Sequence, residues 1–267
     1  VGELIDWKKL LLPYECAVEE LKVKFKNIRK ELRANGQYSP IEFVTGRVKK
    51  VTSILEKVKR MDIEVEEIED KIEDIAGIRI MCQMVEDIYL LVKYIEERQD
   101  MQIVYVKDYI KSPKESGYRS YHIIIKYPIQ TVYGYKEILA EIQIRTLAMN
   151  FWATVEHSLN YKYDKYVPVE IRQRLTKAAD AAARLDEEMA FIREEIVSAQ
   201  VAFEHKSLVV AEITLCIQKI EQLGYTEEAL YYQKRLDVTN DDKETEGLLN
   251  LKTEVNLFLI KLMEEIK

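Results

Sequence analysis

Cysteine and histidine are scarce in this chain of 267 residues, with three of each, and neither is arranged as a ligand set. Cys16, Cys82 and Cys216 are odd in number and far apart. That argues against a disulfide frame or a zinc knot and leaves them as small buried hydrophobes. His122, His157 and His205 are followed by Ile, Ser and Lys. The His-Asp pair of metal-dependent phosphohydrolases is therefore missing, and with it the mark of a hydrolytic domain. No apolar run approaches the roughly 18 to 20 residues of a membrane span. The first twelve residues carry Glu3, Asp6, Lys8 and Lys9 in place of a signal-peptide core. The expectation is a cytoplasmic protein with no membrane partner. A P-loop, a GxGxxG fingerprint and a GxSxG elbow are also absent, so any phosphate must be held by side chains.

Glycine and proline number only 8 and 5, while 48% of the residues are hydrophobic and 33% charged. Such a composition buries a full core and excludes collagen-like or low-complexity architecture. The net charge of −7 hides a segregation of sign. Residues 22 to 60 hold twelve Lys or Arg against three Glu, whereas residues 61 to 106 hold thirteen acids against four bases. A local anion site is favoured over nonspecific binding of nucleic acid by the whole surface.

Hydrophobic periodicity lays out the elements. Leu10, Tyr14, Ala17, Val18, Leu21, Phe25 and Ile28 recur at helical steps, predicting a helix from Trp7 to Arg33 ended by Asn35 and Gly36. Residues 41 to 49 alternate with period two, so Phe43, Thr45, Arg47 and Lys49 share one strand face. A helix is expected over 51 to 60, with Lys57 and Arg60 on one side. Strands follow at 75 to 83 and 101 to 109, with a helix over 85 to 98 between them. A further strand is expected to stop at Pro128, and another to run from Glu137 to Thr146. In the last, Glu141, Gln143 and Arg145 point away from Ile138, Ala140, Ile142 and Ile144. Helices are expected over 147 to 162, over 169 to 205 with an Ala-rich middle, and twice or three times within 207 to 267, broken near Gly224 and at 239 to 245. The fold class is α+β: a mixed sheet of about five strands flanked by helices, with a long helical C-terminal part. The expected organisation is a domain over 1 to 205 and an accessory helical tail over 206 to 267.

Two carboxylates stand at strand edges beside basic residues, Asp74 before the run Ile75 to Arg79 and Glu141 before Arg145. Oxygen ligands on neighbouring strands suit Mg²⁺, although either group alone also reads as a solvated surface charge. Arg47, Lys49, Lys57, Arg60 and Arg79 crowd the same surface, as a polyphosphate requires; a solvated basic face is the alternative. Tyr118, in the loop Lys114 to Arg119, reads equally as a ring that stacks on a purine and as a packing lid.

Five motifs carry a resemblance: Gly46 to Lys49 (GRVK), Asp74 to Arg79 (DIAGIR), Ser116 to His122 (SGYRSYH), Glu141 to Thr146 (EIQIRT) and Trp152 to His157 (WATVEH). Together, from about Trp7 to His205, they resemble the small alarmone synthetases of the RelQ type. The resemblance implies a nucleotidyltransferase-like fold and transfer of pyrophosphate from ATP to the 3′-hydroxyl of GDP or GTP, releasing AMP, with Mg²⁺ on Asp74 and Glu141. It implies that Glu141 takes the 3′-hydroxyl proton, that Arg47, Lys49, Lys57, Arg60 and Arg79 bind ATP, and that Tyr118, Lys114, His122 and Gln143 bind the acceptor.

The resemblance further implies a homotetramer whose central cleft takes pppGpp as an activator, on Lys22, Lys26, Arg29, Glu42, Phe43, Thr45 and Asn150. Lys22, Lys26 and Arg29 lie at i, i+4 and i+7 on one polar helix face. Some members of the group bind single-stranded RNA, which the basic block leaves open. Two other readings stay open at this point: a toxin-type relative that pyrophosphorylates tRNA, and a catalytically silent RNA- or nucleotide-binding regulator.

Overall fold

Asp6 starts the first helix by accepting hydrogen bonds on its carboxylate from the backbone N–H groups of Lys8 and Lys9, at 3.1 Å each. This helix, α1 (Trp7–Ala34), buries Tyr14, Ala17, Val18, Leu21 and Phe25, the stripe that the periodicity marks. Asn35 caps it, and Gly36 takes the left-handed conformation just beyond (φ 67°). The computed structural model describes residues 6–162, 168–240 and 246–265.

Five strands form one sheet in the order β1 (Phe43–Val48), β2 (Ala76–Cys82), β5 (Gly134–Thr146), β4 (Tyr121–Thr131), β3 (Gln102–Asp108). β2 and β5 are parallel and the other three pairings antiparallel, so the sheet is mixed. One face carries Ala76, Ile78, Ile80, Ala140, Ile142, Ile144, Ile123 and Ile125, all buried, and packs with α1 and α4 (Val85–Glu96) into one core. α2 (Val51–Met61) follows β1; a 3-10 turn (Val65–Glu67) and the short α3 (Ile68–Lys71), neither expected from the periodicity, lead into β2. α5 (Leu147–Lys162) leaves β5 directly.

β4 passes through Pro128 to Thr131, three residues beyond the expected stop. Pro128 is tolerated because β3 pairs with β4 only as far as Lys126, so beyond that point β4 has a free side on which no N–H is needed. Of the cysteines, Cys82 is buried and Cys16 and Cys216 are half-buried.

α6 (Val169–Gln222) is a single helix through the expected break after His205. No Gly or Pro occurs between Val169 and Gln222. The breaker is Gly224, at φ 94°, ahead of α7 (Thr226–Asn240) and α8 (Glu246–Glu265). By their internal contacts the residues fall into two compact units that part between Ala190 and Phe191; this division and the expected boundary at 205/206 both lie within α6. The second unit has its own core, built by Ile213, Ile217, Ile220, Tyr232, Leu236, Leu248, Leu251 and Val255. Among the described residues no helix is long and apolar enough to cross a membrane.

Candidate active site

The second face of the sheet is polar, and the register explains how. Arg47 on β1 lies opposite Gly77 on β2, which lies opposite Glu141 on β5. In the next such row, Thr45, Arg79, Gln143 and His122 follow one another from β1 to β4. Directly paired residues project to the same side of a pleated sheet, so four strands present charged and amide groups to one region. Gly77 interrupts the first row without a side chain. A Cβ there would meet only Arg47, its carbonyl oxygen at 3.7 Å and its Cγ at 3.9 Å, and would stand between Arg47 and Glu141.

Two cavities open on this face. The first, of about 420 Å³, is lined by Arg47, Asp74, Arg79, Lys114, Tyr118, His122, Glu141 and Gln143 of the expected site. The second, of about 840 Å³, is lined by Arg47, Lys49, Lys57 and Arg60, the four cations expected to converge. Arg47, Thr154 and His157 line both. Arg79, which the resemblance groups with the second set, lines the first.

Asp74 sits just ahead of β2, where Lys49, the residue after β1, and Lys57 from α2 donate to its two carboxylate oxygens at 2.6 and 2.8 Å. Burial raises its pKa, but the two lysine hydrogen bonds and charges outweigh burial and hold it below the usual range. Glu141 is treated alike: burial opposes its charge, while His122 and then Gln143 favour it, and the net shift is downward. Arg79 is lowered by burial and by the neighbouring charges of Arg47 and Arg145.

Around Glu141 the side chains close a ring of hydrogen bonds. His122 Nδ1 lies 2.7 Å from Glu141 Oε1, and Gln143 donates from Nε2 to Glu141 Oε2 at 2.7 Å. The Tyr118 hydroxyl lies 2.8 Å from His122 Nε2. Arg145 donates from Nη2 both to the Tyr118 hydroxyl, at 2.6 Å, and to Gln143 Oε1, at 2.7 Å.

The loop that carries Tyr118 is set by Gly117, whose positive φ (83°) and a distance of 2.6 Å between any added Cβ and Ala179 Cβ leave no room for a side chain. The Ala-rich stretch of α6 thus comes close to this loop, and Arg119 ties the two by donating to the Gly117 carbonyl and the Asp180 carboxylate. Tyr118 is half-buried, with Trp152 tilted against it at 6.5 Å between ring centroids and Lys114 Nζ 4.9 Å from its own centroid.

Of the residues grouped as an effector site, Arg29 donates to the Glu42 carbonyl, and Phe43 and Thr45 project from β1 on the polar face. Lys22 pairs with Glu19 at 2.8 Å. Lys26 and Asn150 line neither of the two cavities. Sequence reasoning gave no site role to Arg145, Thr154, Glu156 or His157, which also line the first cavity. The signal for Arg145 was present in the alternation of Glu141, Gln143 and Arg145. For Thr154 and His157 it was their separation of three on a helix whose neighbours Trp152 and Ala153 are buried.

Residues 46–166 match the family model described as the region found in RelA / SpoT proteins. The chain is 57% identical over 201 residues to GTP pyrophosphokinase YjbM of Bacillus subtilis (strain 168), covering 75% of this chain and 95% of that one. Its structure resembles that of small alarmone synthetase 1 from Bacillus subtilis bound to its product pppGpp, with a TM-score of 0.69 and 57% identity over 71% of this chain and 97% of the other. It also resembles the same enzyme bound to AMPCPP, with a TM-score of 0.64 and 53% identity over 72% and 98%. The chain belongs to the RelA/SpoT family and, within it, to the small alarmone synthetases of the RelQ type.

Proposed function

We propose that this protein transfers the β,γ-pyrophosphate of ATP to the 3′-hydroxyl of GDP or GTP, forming ppGpp or pppGpp and AMP. The observation that carries the reading is the pair of adjoining cavities. One is lined with cations for a triphosphate; the other holds an ionised, hydrogen-bonded Glu141 beside an aromatic ring; and Arg47, Thr154 and His157 line both. Relatives named GTP pyrophosphokinase, and a relative solved with pppGpp and with AMPCPP, support it.

In this reading Arg47, Lys49, Lys57 and Arg60 neutralise the ATP phosphates, and Arg79 faces the phosphoryl group in flight. Tyr118 and Lys114 seat the acceptor, with His122 and Gln143 holding Glu141 towards its 3′-oxygen. The proton of that hydroxyl moves to a Glu141 oxygen as the oxygen attacks the β-phosphorus in line, and the bond to the AMP oxygen breaks. The lowered pKa of Glu141 keeps it ionised at neutral pH but makes it a modest base, so positioning carries most of the work.

The donor set fits Mg²⁺. Asp74 and Glu141 are ionised carboxylates on one cavity wall, and Mg²⁺ takes one or two carboxylates together with substrate phosphates and water. Bound there, Mg²⁺ would offset charge on the phosphate oxygens. Lys49 and Lys57, which donate to Asp74 at 2.6 and 2.8 Å, would turn to the phosphates.

Incubation with Mg²⁺, labelled ATP and GDP or GTP, resolved by chromatography, tests the reading. AMP released in step with ppGpp or pppGpp supports it; AMP without a lengthened guanosine nucleotide, or no reaction, overturns it. Glu141→Ala should abolish transfer and spare nucleotide binding. The same reading extends to a cytoplasmic homotetramer activated by pppGpp. The cationic face of α1 (Lys22, Lys26, Arg29), the neighbouring Glu42, Phe43 and Thr45, and Asn150 on α5 offer suitable chemistry for the effector. Single-stranded RNA is a competing ligand for that basic surface.

A further inference from the structure

Arg145 is almost fully buried (5% exposed) near the end of β5, where it reaches the wall of the first cavity with its guanidinium turned to the side chains around Glu141. A buried guanidinium needs partners for its protons, and two of these come from a single nitrogen. Nη2 carries two hydrogens, one directed to the Tyr118 oxygen and the other to Gln143 Oε1. Nε is turned towards Ser120 Oγ at 3.3 Å, and the Ser120 hydroxyl is itself anchored on the Ile144 carbonyl.

Those two donations fix everything downstream. Because the Gln143 carbonyl oxygen faces Arg145, its amide nitrogen faces Glu141 Oε2 and donates to it. Because the Tyr118 oxygen accepts from Arg145, its own proton is free for His122 Nε2, 2.8 Å away. That places the imidazole proton on Nδ1, pointed at Glu141 Oε1. Two arms, one through Tyr118 and His122 and the other through Gln143, run from one guanidinium nitrogen to the two oxygens of one carboxylate. A purely apolar or neutral residue at 145 would leave the Gln143 amide free to flip, bringing two acceptors face to face, and would leave the Tyr118 hydroxyl free to turn away.

We propose that Arg145 is the positioning residue of the transfer reaction, coupling the acceptor-seating ring of Tyr118 to the orientation of the base Glu141. This inference rests on the pyrophosphate-transfer reading above and deepens it. Through this coupling, correct seating of the acceptor base against Tyr118 and correct aim of the carboxylate are one event. An acceptor whose base displaces Tyr118 loosens the arm that holds Glu141. Arg145 acts here through its neighbours and does not touch the reacting atoms.

Non-additivity separates this role from direct substrate contact and from simple structural support. Transfer rates would be measured for the full chain, for Arg145→Met, for the double variant Tyr118→Phe/Gln143→Leu, and for the triple variant. Binding of AMPCPP, which reports the second cavity, would be measured alongside as a check on folding. Arg145→Met is expected to lower kcat by about 10- to 100-fold with the acceptor KM changed far less. In the double variant, where both acceptors of Nη2 are gone, adding Arg145→Met should cost less than about threefold more. Equal fold-losses in both backgrounds, or a loss confined to KM, overturn the proposal and assign Arg145 to the substrate or to the fold. If Arg145→Met fails to bind AMPCPP, the cycle is run with Arg145→Lys, which keeps the charge but loses the planar two-way donation, and the same non-additivity is required. Absence of transfer in the unaltered protein overturns the underlying reading instead, so the two failures are distinct.

Discussion

Lys49 Nζ lies 2.6 Å from Asp74 Oδ2, joining the residue just after β1 to one two positions ahead of β2. With Lys57 on the other oxygen, the two lysines hold both oxygens of the carboxylate proposed above as a Mg²⁺ ligand. Asp74→Asn should therefore lower transfer by at least about a hundredfold, the scale seen when a charge-stabilising group is lost. The variant should still fold, with thermal denaturation showing a loss of about 1 kcal/mol, since the pair is partly solvated. Because Asp74 is lowered in the folded state, its contribution to stability is present at neutral pH and disappears as pH falls below about 4. The stability difference between wild type and Asp74→Asn should vanish over that range.

Asp186 behaves in the opposite sense. Buried on α6, it accepts a hydrogen bond from the Thr146 hydroxyl at 2.7 Å. Burial nevertheless pushes its pKa up to about 6, against the Thr146 bond and with help from Glu86 and Glu187. A carboxyl that holds its proton more tightly when folded destabilises the fold as pH rises between its unfolded value of 3.8 and about 6. Relative to Asp186→Asn, the wild-type protein should lose roughly 1 to 3 kcal/mol on going from pH 4 to pH 7. Chemical denaturation of both proteins at the two pH values checks this; a constant difference would contradict it.

Gly77 and Gly117 should respond differently to alanine. At Gly77 the added methyl meets only ordinary contacts, so stability should change by less than about 1 kcal/mol. It would, however, stand between Arg47 and Glu141, and transfer should fall markedly. At Gly117 the positive φ and the 2.6 Å approach to Ala179 make alanine a folding defect of about 1 to 3 kcal/mol. That variant should also raise the acceptor KM, because the loop places Tyr118. Melting curves and steady-state kinetics on the two variants separate the cases.

Phe43 is 41% exposed on an edge strand. Phe43→Ala should leave stability within about 0.5 kcal/mol and basal transfer intact. If β1 carries the effector contact, activation by added pppGpp should disappear; initial rates with and without pppGpp decide the matter.

Much of this fold is readable from periodicity because one face of the sheet is apolar over its central rows. Ile78, Ile80, Ile142 and Ile144 alternate with Gly77, Arg79, Glu141 and Gln143, and the two helices that cover the apolar face carry matching stripes. The gathering of Glu141, Arg47, Lys57 and Arg60 along the two cavities was legible for the same reason, since each occupies a definite side of a strand or helix, whereas Asp74 and Lys49 lie just outside the strands. What escaped was cooperative. The role of Arg145 depends on His122, Gln143 and Tyr118 meeting across two strands and a loop, which spacing along the chain does not encode. The passage of β4 through Pro128 depends on how far β3 extends, and the continuity of α6 on the absence of any breaker before Gly224.

At Gly46 an added Cβ would fall 2.8 Å from Val18 and 3.0 Å from Ile78, with Lys22 Cδ at 3.1 Å. One missing methyl group thus lets the first helix press on the strand that supplies Arg47. Position 46 is a bottleneck for drift: a side chain there displaces a buried valine of α1 or a core isoleucine of β2, so helix, strand and second strand can diverge only in concert. Descendants of this sequence should change Val18 and Ile78 together or keep position 46 bare.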